Sequence, residues 1–244
     1  MTGALAGSWS AATRFAIYYA PPRESAWWRA GCAWLSRDPE SGEPLAAPQP
    51  AGLARPLAEL TGAPRRYGWH GTLVPPFRLA EDVTPEALLA AAQQWAAARA
   101  RFAVAAEAAT LGRFVALRPA DEAGDAALRD LAADALRTLG HLRARQTPAE
   151  LARRLDAPLT ARQRAYVEAW GYPYVFEEFR FHMTLSDSLA DANERAALVA
   201  AWNVQMADAG ALPVEGVALF VEPQPGLPFA LWRRAAFAGG EPRA

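Results

Sequence analysis

The sequence predicts an α+β fold built as two lobes. Strand-like and helix-like stretches alternate only loosely, with helices clustered between groups of strands, and no glycine-rich phosphate loop is present. Both features argue against a doubly wound parallel sheet. In addition, one short motif occurs twice, 112 residues apart and near the middle of each half of the chain. At 244 residues the chain is long enough to bury a core without disulfide or metal staples.

The elements follow in order. RFAIYYAPP (14–22) is a strand closed by a Pro-Pro pair, and 24–37 carries Trp27, Trp28, Gly31, Trp34 and Leu35 at helical spacing. The stretch 38–64 is rich in Pro and Gly and reads as a long loop with one helical turn near 53–60. RRYGWHGTLVPPF (65–77) reads as a second strand. Thr84 followed by Pro85 opens a helix over 84–100 as cap and first helical residue. Residues 101–119 suggest two strands around Gly112. Helices are predicted over 122–140, 147–156 and 160–170. A third strand lies within 172–189. Asp191 opens and Gly210 stops a helix over 191–210, and 214–237 reads as two strands joined by a Pro/Gly turn. Residues 1–13 are expected to form a flexible arm, 14–237 a single bilobal domain, and 238–244 a tail.

Composition narrows the function. Apolar residues make up 52% and charged residues 21%, the balance of a soluble globular chain. The net charge of −1 argues against long RNA held by bulk charge. All 25 basic residues are arginine, so a catalytic lysine or a P-loop lysine is excluded. The single cysteine, Cys32, excludes a disulfide framework and points to reducing cytoplasm; it reads as a small buried hydrophobe. No signal peptide and no membrane span are expected.

The chemistry lies in the repeated motif. His70-Gly71-Thr72-Leu73 and His182-Met183-Thr184-Leu185 share the pattern His-x-Thr-Leu, and they hold two of the three histidines. In a strand, positions i and i+2 point to one face. Glu178, Arg180, His182, Thr184 and Ser186 would therefore oppose Phe179, Phe181, Met183 and Leu185. Likewise Arg66, Gly68, His70 and Thr72 would oppose Tyr67, Trp69, Gly71 and Leu73. If two such strands meet, two imidazoles and two hydroxyls converge. One neutral imidazole takes a proton and the other, as imidazolium, gives one to a leaving oxygen. The hydroxyls bond non-bridging phosphate oxygens, and arginine adds a charged fork. This chemistry requires no metal or other cofactor. A two-histidine metal site is the alternative, but a third ligand on the same faces is not evident. His141, after Gly140, reads as a surface or helix-capping residue.

The duplicated His-x-Thr pattern resembles the 2H phosphoesterase superfamily. More narrowly, RFAIYYAPP, RRYGWHGTLVPPFRLA, TPAELARRL, WGYPYVFEEFRFHMTLS and VALFVE resemble the DUF1045 family, over roughly residues 14–236. That family is associated with phosphonate metabolism through its gene neighbours. The resemblance implies two pseudo-symmetric lobes whose antiparallel sheets face a central cleft, each giving one His-x-Thr. It implies His70 and His182 as an acid–base pair, in an order left open, and Thr72 and Thr184 as phosphate ligands. Trp69 and Gly71 stand where relatives usually show Phe and Ala. Leu-Val-Pro-Pro replaces the more usual Leu-Lys-Ala-Pro, removing one basic contact.

Five further residues are candidate substrate contacts: Arg180 and Arg66 on the motif faces, Tyr18 as a stacking ring, and Tyr172 and Tyr174 at a cleft rim. For Tyr18 a place in the core is an equal alternative. The arginines between 143 and 164 read as a solvated helical face, with a lid over an anionic substrate as the lesser alternative. The expectation is a monomeric, metal-independent phosphodiesterase for a small cyclic or linear phosphodiester, or a nucleotide-like substrate, with phosphosugars in view. The rivals are a non-catalytic nucleotide- or phosphosugar-binding module, an enzyme processing RNA 2′,3′-cyclic phosphate ends, and a metal-dependent hydrolase.

Overall fold

A computed structural model describes residues 9–239. Its strands are β1 (Arg14–Tyr19), β2 (Gly71–Phe77), β3 (Phe102–Val104), β4 (Ala106–Leu111), β5 (Phe114–Pro119), β6 (Met183–Thr184), β7 (Leu212–Val214), β8 (Gly216–Glu222) and β9 (Ala230–Ala236). The helices are α1 (Ala26–Trp34), α2 (Gly62–Tyr67), α3 (Pro85–Ala97), α4 (Glu122–Leu139), α5 (Pro148–Leu155), α6 (Ala161–Trp170) and α7 (Ala192–Gln205). The class is α+β with antiparallel pairing, as the sequence predicts.

Seven strands form one sheet in the order β4-β5-β6-β2-β1-β8-β9, while β3 and β7 make a separate pair. The sheet has two halves, β4-β5-β6 and β2-β1-β8-β9, and each contains one copy of the motif. They join edge to edge through the pair Gly71 and Met183. The halves are not contiguous in the chain, because β8 and β9 return from the C-terminal side to pair beside β1.

Local chemistry explains most elements. The Thr84 hydroxyl accepts from Ala87 N–H, and Asp121 caps α4 through Gly124 N–H. Thr147 with Glu150, and Thr160 with Gln163, form reciprocal capping boxes that open α5 and α6. Helix α4 packs on β2 and β5, α3 on β9, and α7 on β4 and β5. The core is rich in tryptophan: Trp34 and Trp202 meet edge-on at 5.1 Å, and the Trp34 indole N–H donates to the Leu185 carbonyl at 2.8 Å. Gly31 is required here, since a Cβ at that position would overlap the Trp69 ring.

Two expectations need correction. Residues 65–70 are not strand. Residues 62–67 form α2, which ends at Gly68 with φ +79°, and β2 starts only at Gly71. The strand after Tyr172 is also shorter than its alternation suggests. A 3-10 turn spans Phe176–Glu178, and ladder pairing holds only Met183–Thr184, although Phe179, Phe181, Met183 and Leu185 are all buried as the alternation requires. In the described part of the N-terminal arm, residues 10–12 are exposed while Trp9 and Thr13 make contacts with the domain. Trp9 lies 5.5 Å from both Phe15 and Trp232, and buried Thr13 donates to the Pro223 carbonyl. Residues 1–8 and 240–244, the rest of the arm and most of the tail, lie outside the described residues. Among the described residues no helix is long and apolar enough to cross a membrane.

Candidate active site

The two motifs meet at the seam between the half-sheets. Antiparallel pairing of Gly71 with Met183 sets Thr72 across from His182, and His70 across from Thr184. Strand alternation about that pair assigns all four side chains to one face, and the histidines to diagonal positions, a spacing of about 7–8 Å in a regular ladder. Helix α2 holds the first motif in place. Asp187, three residues past Thr184, accepts from Gly62 N–H at 3.1 Å and Ala63 N–H at 2.7 Å, so the second motif segment caps the helix that leads into the first.

Both imidazoles are oriented in the same way. His70 Nδ1–H donates to the Gly68 carbonyl at 2.8 Å, and His182 Nδ1–H donates to the Arg180 carbonyl at 2.9 Å. A carbonyl only accepts, so Nδ1 carries the hydrogen in each ring and a neutral ring leaves Nε2 as a base. The Thr72 hydroxyl donates to His70 Nε2 at 3.3 Å. His70, His182, Thr72 and Thr184 are all partly open to solvent.

The surroundings of the two rings differ. His70 stacks on Tyr18 at 3.8 Å between centroids and lies 5.9 Å from Phe220. Burial, reinforced by the like charge of His182, outweighs the Gly68 hydrogen bond and pushes the His70 imidazole down to about 4. It is therefore neutral at pH 7. His182 has Phe114 at 5.7 Å as its aromatic neighbour.

The remaining candidates are placed differently from the sequence expectation. Tyr18 is buried beneath His70 and cannot stack on a ligand; the even alternative, a place in the core, is the one observed. Arg66 lies on α2 and, with Arg14, pairs with the fully buried Glu222. Burial alone would raise the Glu222 carboxyl; hydrogen bonds from Arg14, Arg66 and the Gly226 N–H outweigh it and hold the group below the usual carboxylate range. Arg66 is thus committed to the scaffold. The Arg180 guanidinium folds back onto the Glu177 and Phe179 carbonyls instead of crossing the motif face. Tyr172 lines a cavity further along β2, and Tyr174, half exposed, packs edge-on against the Tyr172 ring at 5.6 Å. Cys32 is buried, and burial raises its thiol far above the usual range, which leaves it inert.

Sequence reasoning missed Arg118. One step beyond the pair of Leu117 with Met183, the register puts it beside His182 on the motif face, exposed and, among the described residues, without a carboxylate partner. The signal lay in the β5 alternation Phe114, Ala116, Arg118, but only the pairing with β6 gives it meaning. Among the described residues no group of three or more His, Cys, Asp or Glu is placed to hold a metal ion.

Residues 72–230 match the family model described as "Protein of unknown function (DUF1045)". The chain belongs to this family. It is 40% identical over 242 residues to a protein of Janthinobacterium sp. (strain Marseille) named Ribose 1,5-bisphosphate phosphokinase PhnN, a match covering 95% of this chain and 52% of that one. A protein of the same name from Laribacter hongkongensis (strain HLHK9) is 41% identical over 224 residues, covering 90% and 51%. The chain thus spans about half the length of the curated relatives it matches. A solved structure described as that of a phosphoesterase aligns over 93% of this chain and 99% of its own, at 14% identity and a TM-score of 0.44, a likeness too distant to carry an argument.

Proposed function

We propose that this DUF1045 protein is a phosphoesterase of the two-histidine type, hydrolysing a small phosphodiester without a metal ion. One observation carries the reading: two His-x-Thr motifs, joined by the Gly71–Met183 pair, present two imidazoles with the same tautomer and two hydroxyls on a single sheet face.

In this reading the diester sits over the seam. His70, neutral and held by the Gly68 carbonyl, takes the proton from water or an attacking hydroxyl at Nε2. His182, in its protonated form, gives a proton from Nε2 to the leaving oxygen. Thr72 turns its hydroxyl from His70 to a non-bridging oxygen, Thr184 does the same from across the seam, and Arg118 adds the fixed charge that Arg180 and Arg66 do not supply. Tyr18 is a positioning residue that holds the His70 ring from below.

The printed name of the curated relatives is that of a sugar-phosphate kinase, and it supports a phosphosugar as the substrate class. The kinase chemistry itself is assigned here to the part of those proteins that this chain does not span, since no lysine is available for a phosphate loop.

The test is turnover of 2′,3′-cyclic nucleotides and ribose cyclic phosphates by chelator-treated protein. Each of His70→Ala and His182→Ala should lower the rate by about 10² or more. Activity that survives both changes, or that disappears on chelation alone, rejects the reading. Ligand-dependent stabilisation with no turnover would favour a binding module instead.

A further inference from the structure

A cavity of about 850 Å³ lies further along β2, and none of the four motif residues lines it. It runs along β2 past Pro75 and Pro76 and is enclosed by the C-terminal end of α4, the segment after it, and α5 and α6. Its lining contains seven arginines and two carboxylates. One of those carboxylates, Glu150, is already committed to a two-pronged pair with Arg78 at 2.8 Å for each bond. The other, Glu168, is exposed.

The excess positive charge is not spent within the protein. Among the described residues Arg143, Arg145, Arg153 and Arg154 have no carboxylate within ion-pair distance. Arg143 is largely enclosed; it donates to the Trp170 carbonyl at 2.8 Å, yet its Nε is buried with no acceptor. Burial, then the like charge of Arg154, pushes its guanidinium below the usual arginine value, as befits a cation without a counter-ion. Arg154 lies over the Tyr172 ring at 5.4 Å. Gln146 leaves a buried Oε1 unpaired in the same wall, an acceptor suited to a hydroxyl. A solvated helical face would not enclose such groups. The sequence expectation is corrected for Arg143 and Arg154, which are partly buried, whereas Arg145, Arg153, Arg162 and Arg164 are exposed, as expected.

The cavity shares a strand with the first motif. Pro75 is three residues beyond Thr72 on β2, about 10 Å along an extended strand. Arg14, which also lines the cavity, shares a strand face with Tyr18.

We propose that this cavity is a second anion site, which binds a phosphomonoester carried by the substrate about one sugar or one nucleotide away from the group at the histidines. Arg143 and Arg154 hold the phosphate, and the Gln146 Oε1 accepts from a neighbouring hydroxyl. The proposal rests on the phosphoesterase reading for the first anion, and it narrows the substrate to a small molecule with two separated anionic groups. A basic cavity of this size in a chain of net charge −1 suits such a ligand better than a polynucleotide.

The test has a binding arm and a kinetic arm. In the binding arm, calorimetry on the full chain carrying His70→Ala compares a nucleoside 5′-monophosphate with its parent nucleoside. The monophosphate should bind at least tenfold tighter, and Arg154→Gln should abolish most of that difference. Arg154 donates no side-chain hydrogen bond among the described residues, and exposed Arg145→Gln is a second variant whose loss should weaken the same ligand without disturbing the fold. In the kinetic arm, the wild-type preference in kcat/KM for a 2′,3′-cyclic nucleotide bearing a 5′-phosphate over one lacking it should fall at least tenfold in Arg154→Gln. The proposal is overturned if the monophosphate binds no tighter than the nucleoside, or if both variants keep the difference. It is also overturned if a single-stranded RNA of about twelve nucleotides binds far more tightly than the mononucleotide, with the steep salt dependence of many phosphate contacts. Binding that behaves as stated while no diester is hydrolysed would sink the phosphoesterase reading and leave the anion site standing.

Discussion

Acid should destabilise this protein through His70 more than through an ordinary histidine. The ring lies on Tyr18 and beside Phe220, and its imidazole is pushed down to about 4 from an ordinary value of 6.5. Between those two pH values the unfolded chain binds a proton at His70 and the folded chain does not, so lowering the pH draws the equilibrium toward the unfolded state. The contribution is complete above about pH 6.5 and is lost progressively down to about pH 4. At 1.36 kcal/mol per pH unit it amounts to about 3 kcal/mol at most, and less because the ring is partly open to solvent. Carboxylates titrate in the lower part of the same range, so the measurement is a difference. Urea unfolding of the wild type and of His70→Gln is compared at about pH 7 and about pH 4. The wild type should lose about 1–3 kcal/mol more than the variant. Equal losses would mean that His70 is not held neutral by its surroundings, and the assignment of the base would fall with it.

Three other outcomes follow from the same geometry. Asp187→Ala should remove the two acceptors that cap α2, costing about 1 kcal/mol in a thermal melt and lowering turnover further by releasing the segment that carries His70. Gly31→Ala should force the Trp69 ring aside and cost about 1–3 kcal/mol, read as a lower Tm with an altered near-ultraviolet circular dichroism spectrum. Glu222→Gln should leave Arg14 and Arg66 facing a neutral buried group, with a loss of about 3–5 kcal/mol by urea unfolding.

Elements with local signals were legible in the sequence. Thr84-Pro85, Thr147-Pro148, Thr160 and Asp191 are cap residues, and each opens a helix where the spacing places it. β1, β8 and β9 follow from short apolar runs between turn residues. Helix α2 was not legible because its first N–H groups are satisfied by Asp187, which lies more than 120 residues away. Only Gly68, at a left-handed φ, hinted that a helix ends before the first motif. The seam between the half-sheets rests on a single residue pair, and no local pattern announces it. The motif histidines and threonines were visible through duplication. Their supports were not: Tyr18 serves the ring above it and not a ligand, Arg66 serves Glu222, and Arg118 gains a place at the site only through the pairing of β5 with β6. Arg143 and Arg154 were read as solvated, because what partly buries them is tertiary.

The account depends most on both imidazoles addressing one phosphorus centre. The direct measurement is a crystal structure of the full chain with orthovanadate, a mimic of the five-coordinate phosphoryl transition state. The account predicts vanadium over the Gly71–Met183 seam, with separate oxygens within hydrogen-bond distance of His70 Nε2 and His182 Nε2 and with both threonine hydroxyls turned toward it. Vanadate bound by only one of the two rings, or found elsewhere while the seam holds only water, would contradict it.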